Sequence, residues 1–172
     1  MKQLFLLRHA KSSWDDPALP DRDRPLAPRG RRDATALAAF IEAQGIKPSL
    51  VLCSPARRTT DTLRLITAAI GPTAELVIDD ELYGAESGEL LRRIRKVPNV
   101  ASVMVIGHNP GIHELALMLA RGVDDLHRLG TKFPTGALAI LGVPGRWRDL
   151  GSTVAELQDF VVPKELDRDL GR

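Results

Sequence analysis

The chain has 172 residues, of which 44% are hydrophobic and 27% charged, and its formal net charge at pH 7 is +2. This composition excludes a disordered chain and predicts a single globular domain over residues 1–172. The small net charge gives no reason to expect binding to nucleic acid. No apolar run approaches the ~20 residues that cross a bilayer, so we expect no membrane partner.

Cysteine content and the N-terminus indicate the compartment. The one cysteine, Cys53, excludes an internal disulfide and favours a reducing environment. The first apolar run is too short for a signal peptide, and an Arg-His pair ends it. We therefore expect a cytoplasmic protein.

The first half of the chain predicts alternating strands and helices. Residues 2–7 form an apolar strand, and a loop rich in Asp and Pro follows it. Helical spacing of apolar residues predicts a helix over Arg29–Gln44, and residues 49–53 form a second strand. Ser54 and Pro55 are typical of the N-cap and first turn of the next helix, which Gly71 ends.

The second half continues the same alternation. Its predicted elements are a strand at 75–79, a helix over Gly88–Val97, a strand at 102–106, a helix that Asn109 and Pro110 begin, a strand at 136–143 and a last strand near Val154–Phe160. Strands and helices that alternate at this spacing predict an α/β fold, a three-layer α/β/α sandwich around a mostly parallel central sheet.

Three of the apolar runs end in side chains that bind phosphate. Arg8 and His9 follow the first run, Arg58 comes shortly after the second, and His108 follows the run at 102–106. Ligands of open α/β sheets bind beyond the carboxyl ends of the strands. If these strands are parallel neighbours, one pocket receives two imidazoles and one or two guanidiniums, groups that can bind a phosphoryl group and attack it.

Each of these side chains has a predicted role. A neutral imidazole at His9 can accept a phosphoryl group and later release it to water, and we expect nearby guanidiniums to keep it neutral. Arg8 and Arg58 form bidentate bonds with phosphate oxygens, whereas Arg57 points elsewhere. His108 supplies a second imidazole to the phosphoryl oxygens.

Other functional readings fail on spacing. The cysteine phosphatase signature needs an Arg six residues after the Cys, but Cys53 is followed at that distance by Thr59, so we expect a buried apolar residue. No phosphate-binding loop of the Walker type is present, and the four histidines lack the spacing of a metal site. We expect His113 on a helix face and His127 in a polar loop, both without a catalytic role.

Taken in order, the motifs resemble those of the histidine phosphatase (phosphoglycerate mutase-like) superfamily. The matching segments are Arg8-His9-Ala10, the run from Arg24 to Gly30, Ser54-Pro55 with Arg58 and Thr62, and the run from Val105 to Pro110. The short chain is similar to the SixA-type phosphohistidine phosphatases. Ala10 replaces the usual glycine, and Ala27 stands where a threonine is frequent.

The resemblance implies a phosphoenzyme mechanism with no metal or other cofactor. It gives His9 as the nucleophile and Arg8, Arg58 and His108 as the rest of the phosphate pocket. Ser12 and Asn109 are expected at its edge.

The general acid is less well marked. Glu81 is similar in position to the acid of many members, and its alternative interpretation is a solvated loop carboxylate. Asp15, Asp16 and Glu86 are weaker candidates.

Three functions remain open at this point. The first is a phosphatase that acts on protein phosphohistidine. The second is a broad phosphomonoesterase of small phosphorylated molecules. The third is a non-catalytic module that binds a phosphorylated ligand, which a complete set of His9, Arg8, Arg58 and His108 disfavours because binding alone needs no nucleophile.

Overall fold

A seven-stranded sheet forms the centre of the protein in the computed structural model, which describes residues 1–122 and 125–170. The strands are β1 (Lys2–Arg8), β2 (Leu50–Cys53), β3 (Glu75–Ile78), β4 (Ser102–Gly107), β5 (Ala120–Arg121), β6 (Leu138–Val143) and β7 (Ala155–Val161). Their order across the sheet is β3-β2-β4-β1-β6-β7-β5. The pairs β1–β6 and β6–β7 are antiparallel and the other four are parallel, which confirms a mostly parallel sheet.

Helices cover both faces of this sheet. They are α1 (Pro28–Ala43), α2 (Arg57–Ile70), α3 (Ser87–Arg95), α4 (Gly111–Leu119), α5 (Leu126–Thr131) and α6 (Pro163–Leu170). Alternate residues of β1 enter different cores, Leu6 with α3 and α4, and Leu7 with α1 and α2. The three-layer sandwich is therefore confirmed. Among the described residues, no helix combines the length and apolar character that crossing a membrane requires.

The sheet register brings three strand ends to one edge. Strand β4 lies between β1 and β2 and runs parallel to both. Arg8 pairs with Gly107, and Cys53 pairs with Ile106, so the last residues of the three strands stand side by side. The side chains that follow these strands consequently share the crevice beyond the sheet.

Two predicted helix starts are wrong by a few residues. Helix α2 begins at Arg57 with Ala56 as its N-cap, and α4 begins at Gly111 with Pro110 as its N-cap. Ser54 and Asn109 do not cap these helices, because their side chains hydrogen-bond across the crevice, to His108 and to the Phe133 carbonyl.

The C-terminal third contains elements that the sequence analysis did not predict. His127, expected in a loop, lies on the short helix α5. Helix α6 packs on α1 with Leu166 partly buried against the core. These short segments carry too few apolar residues to show a helical period.

The loop between β1 and α1 is fixed to the start of α1. Ser12 and Leu26 form an isolated bridge, and the amide of Ala27 donates to the carbonyl of Lys11 at 2.8 Å. A side-chain carbon added to Gly30 would collide with the Lys11 carbonyl, so only glycine permits this close approach. These contacts therefore fix the position of the loop relative to the start of α1.

Candidate active site

His9 stands directly beyond β1 with one ring nitrogen free. Its amide donates to the Gly107 carbonyl at 3.1 Å, and its Nδ1 lies 2.7 Å from the Ala10 carbonyl oxygen. A carbonyl only accepts, so Nδ1 carries the proton and Nε2 carries the lone pair. The residue is 7% exposed. The backbone thus fixes both the tautomer and the direction of the ring.

Burial keeps the His9 ring neutral. It lowers the pKa of His9 to about 3, with smaller contributions from the charges of His108, Arg58 and Arg8, while the bond to Ala10 acts in the opposite direction. The predicted effect of the guanidiniums is present, but loss of water contributes more. The lone pair on Nε2 is therefore available at neutral pH.

Arg8 is a cation held by the backbone rather than by a carboxylate. Its Nη1 donates to the Phe133 carbonyl at 3.0 Å, and its buried Nε has no hydrogen-bond partner among the described residues. Burial, with the charge of Arg58 next, lowers the pKa of Arg8. Arg8 is half-buried and forms no ion pair with a carboxylate of the described residues, and a partly buried cation of this kind favours binding of an anion.

His108 supplies the second imidazole. Its ring centroid lies 5.4 Å from that of His9, and its Nε2 shares a hydrogen bond of 2.7 Å with the Ser54 hydroxyl. Burial, followed by the charge of Arg58, lowers the pKa of His108 to about 4. The buried Nδ1 has no partner in the described part of the chain. Two neutral imidazoles therefore face the same space.

Arg58 reaches the crevice from the first turn of α2, and one edge of its guanidinium is occupied. Nη1 donates to the Asp21 carbonyl at 2.8 Å, and Nη2 donates to Asp21 Oδ2 at 3.0 Å. A guanidinium is a planar fork with a second bidentate edge that includes Nε. That edge is not used by Asp21, so Arg58 can hold Asp21 and an anion together.

Asp21 is a site residue that sequence reasoning missed. It accepts hydrogen bonds from Tyr83 at 2.7 Å and from Arg24 at 3.2 Å, in addition to those from Arg58. The bond from Tyr83, followed by those from Arg58 and Arg24, lowers the pKa of Asp21 to about 2. Because Asp21 lies in an acidic loop with no helical or strand period, no pattern marked it. The Asp21 carboxylate therefore connects the segments that carry Arg24, Arg58 and Tyr83.

Thr62, one of the quoted motif residues, joins α2 to the segment that carries His9. Its hydroxyl accepts from the Ala10 amide at 3.1 Å and donates to the Arg58 carbonyl at 2.7 Å. The threonine is fully buried. The Thr62 hydroxyl therefore links the backbone next to His9 to the backbone of Arg58, so the positions of these two residues depend on each other.

The predicted edge residues have other bonds. Ser12 Oγ accepts from Arg24 at 2.9 Å, and Asn109 Nδ2 donates to Phe133 at 2.9 Å, the carbonyl that also holds Arg8. Asn109 Oδ1 is buried without a partner among the described residues. Glu81 is exposed, its amide donates to Asp79 Oδ1, and its side chain has no hydrogen bond to the described residues.

The remaining candidates lie outside the crevice. Arg57 is 58% exposed and pairs with Asp61 at 3.7 Å, as its helix position predicts. His113 on α4 bonds the Leu129 carbonyl. Burial raises the pKa of Cys53 to about 12, which leaves no thiolate for chemistry. In the described ranges, no group of three or more His, Cys, Asp and Glu side chains could hold a metal ion.

Comparison with known sequences finds the same family along most of the chain. The model described as "Histidine phosphatase superfamily (branch 1)" matches residues 4–99. An uncharacterized protein of Mycobacterium tuberculosis is 39% identical over 163 residues, which are 92% of this chain and all of the relative. An uncharacterized chloroplastic protein of Arabidopsis thaliana is 36% identical over 177 residues, 93% of this chain and 81% of that protein.

Solved structures share the fold. A protein of Nakamurella multipartitia assigned as phosphohistidine phosphatase SixA has a TM-score of 0.80 and 35% identity, covering 94% of this chain and 96% of that one. The protein histidine phosphatase SixA in complex with tungstate has a TM-score of 0.78 and 25% identity, covering 95% and 99%. The sandwich is thus the phosphoglycerate mutase-like fold.

Proposed function

The chain belongs to the histidine phosphatase superfamily and is a phosphatase, and on this premise we propose that it hydrolyses protein phosphohistidine through a phosphoenzyme formed on His9. One observation carries the proposal: the neutral imidazole of His9 stands beside Arg8, a half-buried cation, and among the described residues neither His9 Nε2 nor the buried Arg8 Nε has a hydrogen-bond partner. A nucleophile and an anion site in one crevice suit transfer of a phosphoryl group.

In the first step, His9 Nε2 donates its lone pair to phosphorus as the bond from phosphorus to the substrate imidazole breaks. The substrate imidazole, protonated on its other ring nitrogen, keeps the bonding pair and leaves as a neutral ring. In the second step, water attacks the phosphorus of phospho-His9, the N–P bond breaks, and the pair returns to Nε2 as inorganic phosphate forms. We expect Arg8 and Arg58 to neutralise the phosphoryl oxygens in both steps and the neutral His108 to hydrogen-bond them.

Phosphohistidine is the substrate that least needs a general acid, and this site has no well-marked one. An imidazole protonates near pH 6.5, so it departs more readily than the alkoxide of a phosphomonoester. Glu81 is exposed and lies outside the network around His9, which suits a substrate that needs little help from an acid. The tungstate-bound SixA relative is also a phosphatase of protein histidine by its description.

The decisive experiment follows phosphate release from a phosphorylated histidine-containing phosphotransfer domain in excess EDTA. We expect full activity with chelator and a loss on the order of 10⁴-fold or more in His9→Ala. His127→Ala is the matched control and should keep wild-type activity. Activity that EDTA abolishes, or that survives loss of His9, would contradict the proposal.

The phosphoenzyme itself provides a second readout. Rapid quenching should trap a phosphoryl group that is stable in alkali, labile in acid and mapped to His9. A panel of sugar and nucleotide phosphates tests the alternative of a small-molecule phosphomonoesterase. The phosphorylated domain should have the highest kcat/KM, and a preference for the small esters would favour the alternative.

A further inference from the structure

Trp14 is a large aromatic side chain that is exposed beside the catalytic crevice. It follows His9 by five residues, in the loop that the bridge between Ser12 and Leu26 fixes, and it is 69% exposed. Exposed tryptophans at the edge of a functional site are typical binding anchors. Neither the phosphate pocket nor the hydrophobic core uses this ring.

One face of the Trp14 ring is held in place. The guanidinium carbon of Arg24 lies 3.6 Å from the ring centroid, and the Arg24 side chain is only 9% exposed. Arg24 is itself fixed by bonds to Ser12 Oγ at 2.9 Å and to Asp21 at 3.2 Å. The ring is therefore ordered before a partner arrives, which reduces the entropy that binding costs.

A chain of contacts sets how far Trp14 lies from the chemistry. The ring touches Arg24, Arg24 bonds Asp21, and Asp21 bonds Arg58 of the phosphate clamp. Arg58 is thus three contacts away from the ring, and a phosphoryl group bound at Arg58 is four contacts away. A small leaving group ends before that distance, whereas the surface of a protein that carries the phosphoryl group extends past it.

The charges around Trp14 indicate what kind of surface fits. Asp15 and Asp16 follow it in the chain and are exposed, and Asp23 and Asp80 are exposed on the turns beside Arg24 and Tyr83. Arg22 pairs with Asp80 at 3.5 Å. The exposed carboxylates of this border favour a partner whose phosphorylated side chain is surrounded by basic residues.

We propose that Trp14 docks a folded protein domain that presents a phosphorylated histidine among basic side chains, and that it thereby selects protein over small-molecule substrates. This inference rests on the proposed function. It adds the surface that recognises the partner, separate from the groups that bind the phosphoryl oxygens.

The test compares two substrates of the same chemistry. They are a histidine-containing phosphotransfer domain phosphorylated with phosphoramidate, and phosphoramidate alone. In Trp14→Ala we expect kcat/KM to fall about tenfold or more for the domain and less than twofold for phosphoramidate. Val154→Ala, at a 59% exposed residue directly before β7, at the end of the sheet away from the crevice, is the matched control and should change neither value.

The outcomes separate this inference from the proposed function. Equal losses on both substrates mean that Trp14 acts through Arg24 on catalysis, and no loss on either means that it does not dock; both overturn the docking role while the proposed function stands. A wild-type protein that hydrolyses phosphoramidate but not the domain overturns the protein substrate as well. Equal thermal unfolding midpoints show that the variant is folded.

Ionic strength gives a second, independent readout. Between 50 and 300 mM salt we expect kcat/KM for the domain to fall severalfold and that for phosphoramidate to change less. The double variant Asp15→Asn, Asp16→Asn should reduce this dependence on salt for the domain. A dependence that is the same in wild type and double variant would overturn the assignment of a basic partner surface.

Discussion

The two sides of the active site are held in place by different forces. On the floor of the site, defined by Arg8, His9 and His108, the side chains of Arg8 and His9 bond to backbone carbonyls of the loops next to the sheet, at Phe133 and at Ala10. At the mouth, Arg58 is held by Asp21, a loop residue whose side chain is 51% exposed. Backbone contacts make the floor rigid, whereas the position of the mouth depends on a charge that substitution can remove.

The largest expected effect is the contribution of the two floor histidines to the free energy of unfolding of the protein. The pKa values of His9 and His108 are lowered to about 3 and about 4, so the unfolded chain binds protons below pH 6.5 that the folded protein does not. The free energy of unfolding should therefore fall as the pH drops from 7 to 5. At pH 5 the loss is about 2 kcal/mol for each histidine, as urea denaturation at the two pH values would measure.

A double variant isolates this contribution. His9→Gln with His108→Gln removes both titrating rings, and the remaining change in stability between pH 7 and 5 should be smaller by about 4 kcal/mol. If the wild type and the double variant lose stability in parallel, the two imidazoles are not buried in their neutral form.

Removal of the cation at the mouth should reduce the rate. Arg58→Ala eliminates a donor to the phosphoryl oxygens, and we expect kcat/KM to fall about 10²- to 10³-fold. Arg57→Ala, the adjacent and exposed arginine on the same helix, is the control and should change kcat/KM less than twofold. Similar losses in both variants would mean that general positive charge, rather than the Arg58 contact, accelerates the reaction.

Removal of the carboxylate that holds Arg58 should have a smaller effect. In Asp21→Ala we expect kcat to fall about tenfold, because Arg58 and Tyr83 lose their shared partner while the floor is unchanged. Asp21→Asn keeps an acceptor and should recover part of the loss. Asp23→Ala in the same turn is the control. A wild-type kcat in Asp21→Ala would show that the mouth needs no carboxylate.

The smallest effect is expected at the proposed acid. Glu81→Gln should change kcat/KM for the phosphorylated domain less than threefold, because an imidazole departs without a strong acid. For an alkyl phosphomonoester, whose leaving group is an alkoxide, the loss in kcat/KM should be larger, about tenfold. A large loss on the phosphorylated domain would make Glu81 essential in the first step.

The floor was predictable from the sequence because local patterns determine it. A buried parallel strand is a continuous apolar run, and the residue after it lies in the crevice. Arg8, His9 and His108 each come within two residues of the end of such a run. The position of β4 between β1 and β2 was not predictable in the same way, because the alternation of strands and helices predicts a parallel sheet but not the order of its strands.

The mouth was not predictable because its partners are distant in sequence. Asp21 contacts Arg58 37 residues away and Tyr83 62 residues away, and neither contact follows a helical or strand period. The roles predicted for Ser54 and Asn109 as helix caps were wrong for the same reason. Side chains that suit a cap also suit a hydrogen bond across the crevice, and tertiary contact decided between them.

The close approach at Gly30 predicts that a residue without a side chain affects turnover. Any substitution there has to lift the Lys11 carbonyl, and with it the segment that carries Ser12 and Trp14, although position 30 lies on a helix and offers the substrate no group. A random mutagenesis screen for inactive clones would consequently recover changes at this glycine together with those at the nucleophile. In such a screen, the steric requirement at Gly30 would be indistinguishable from loss of a catalytic group.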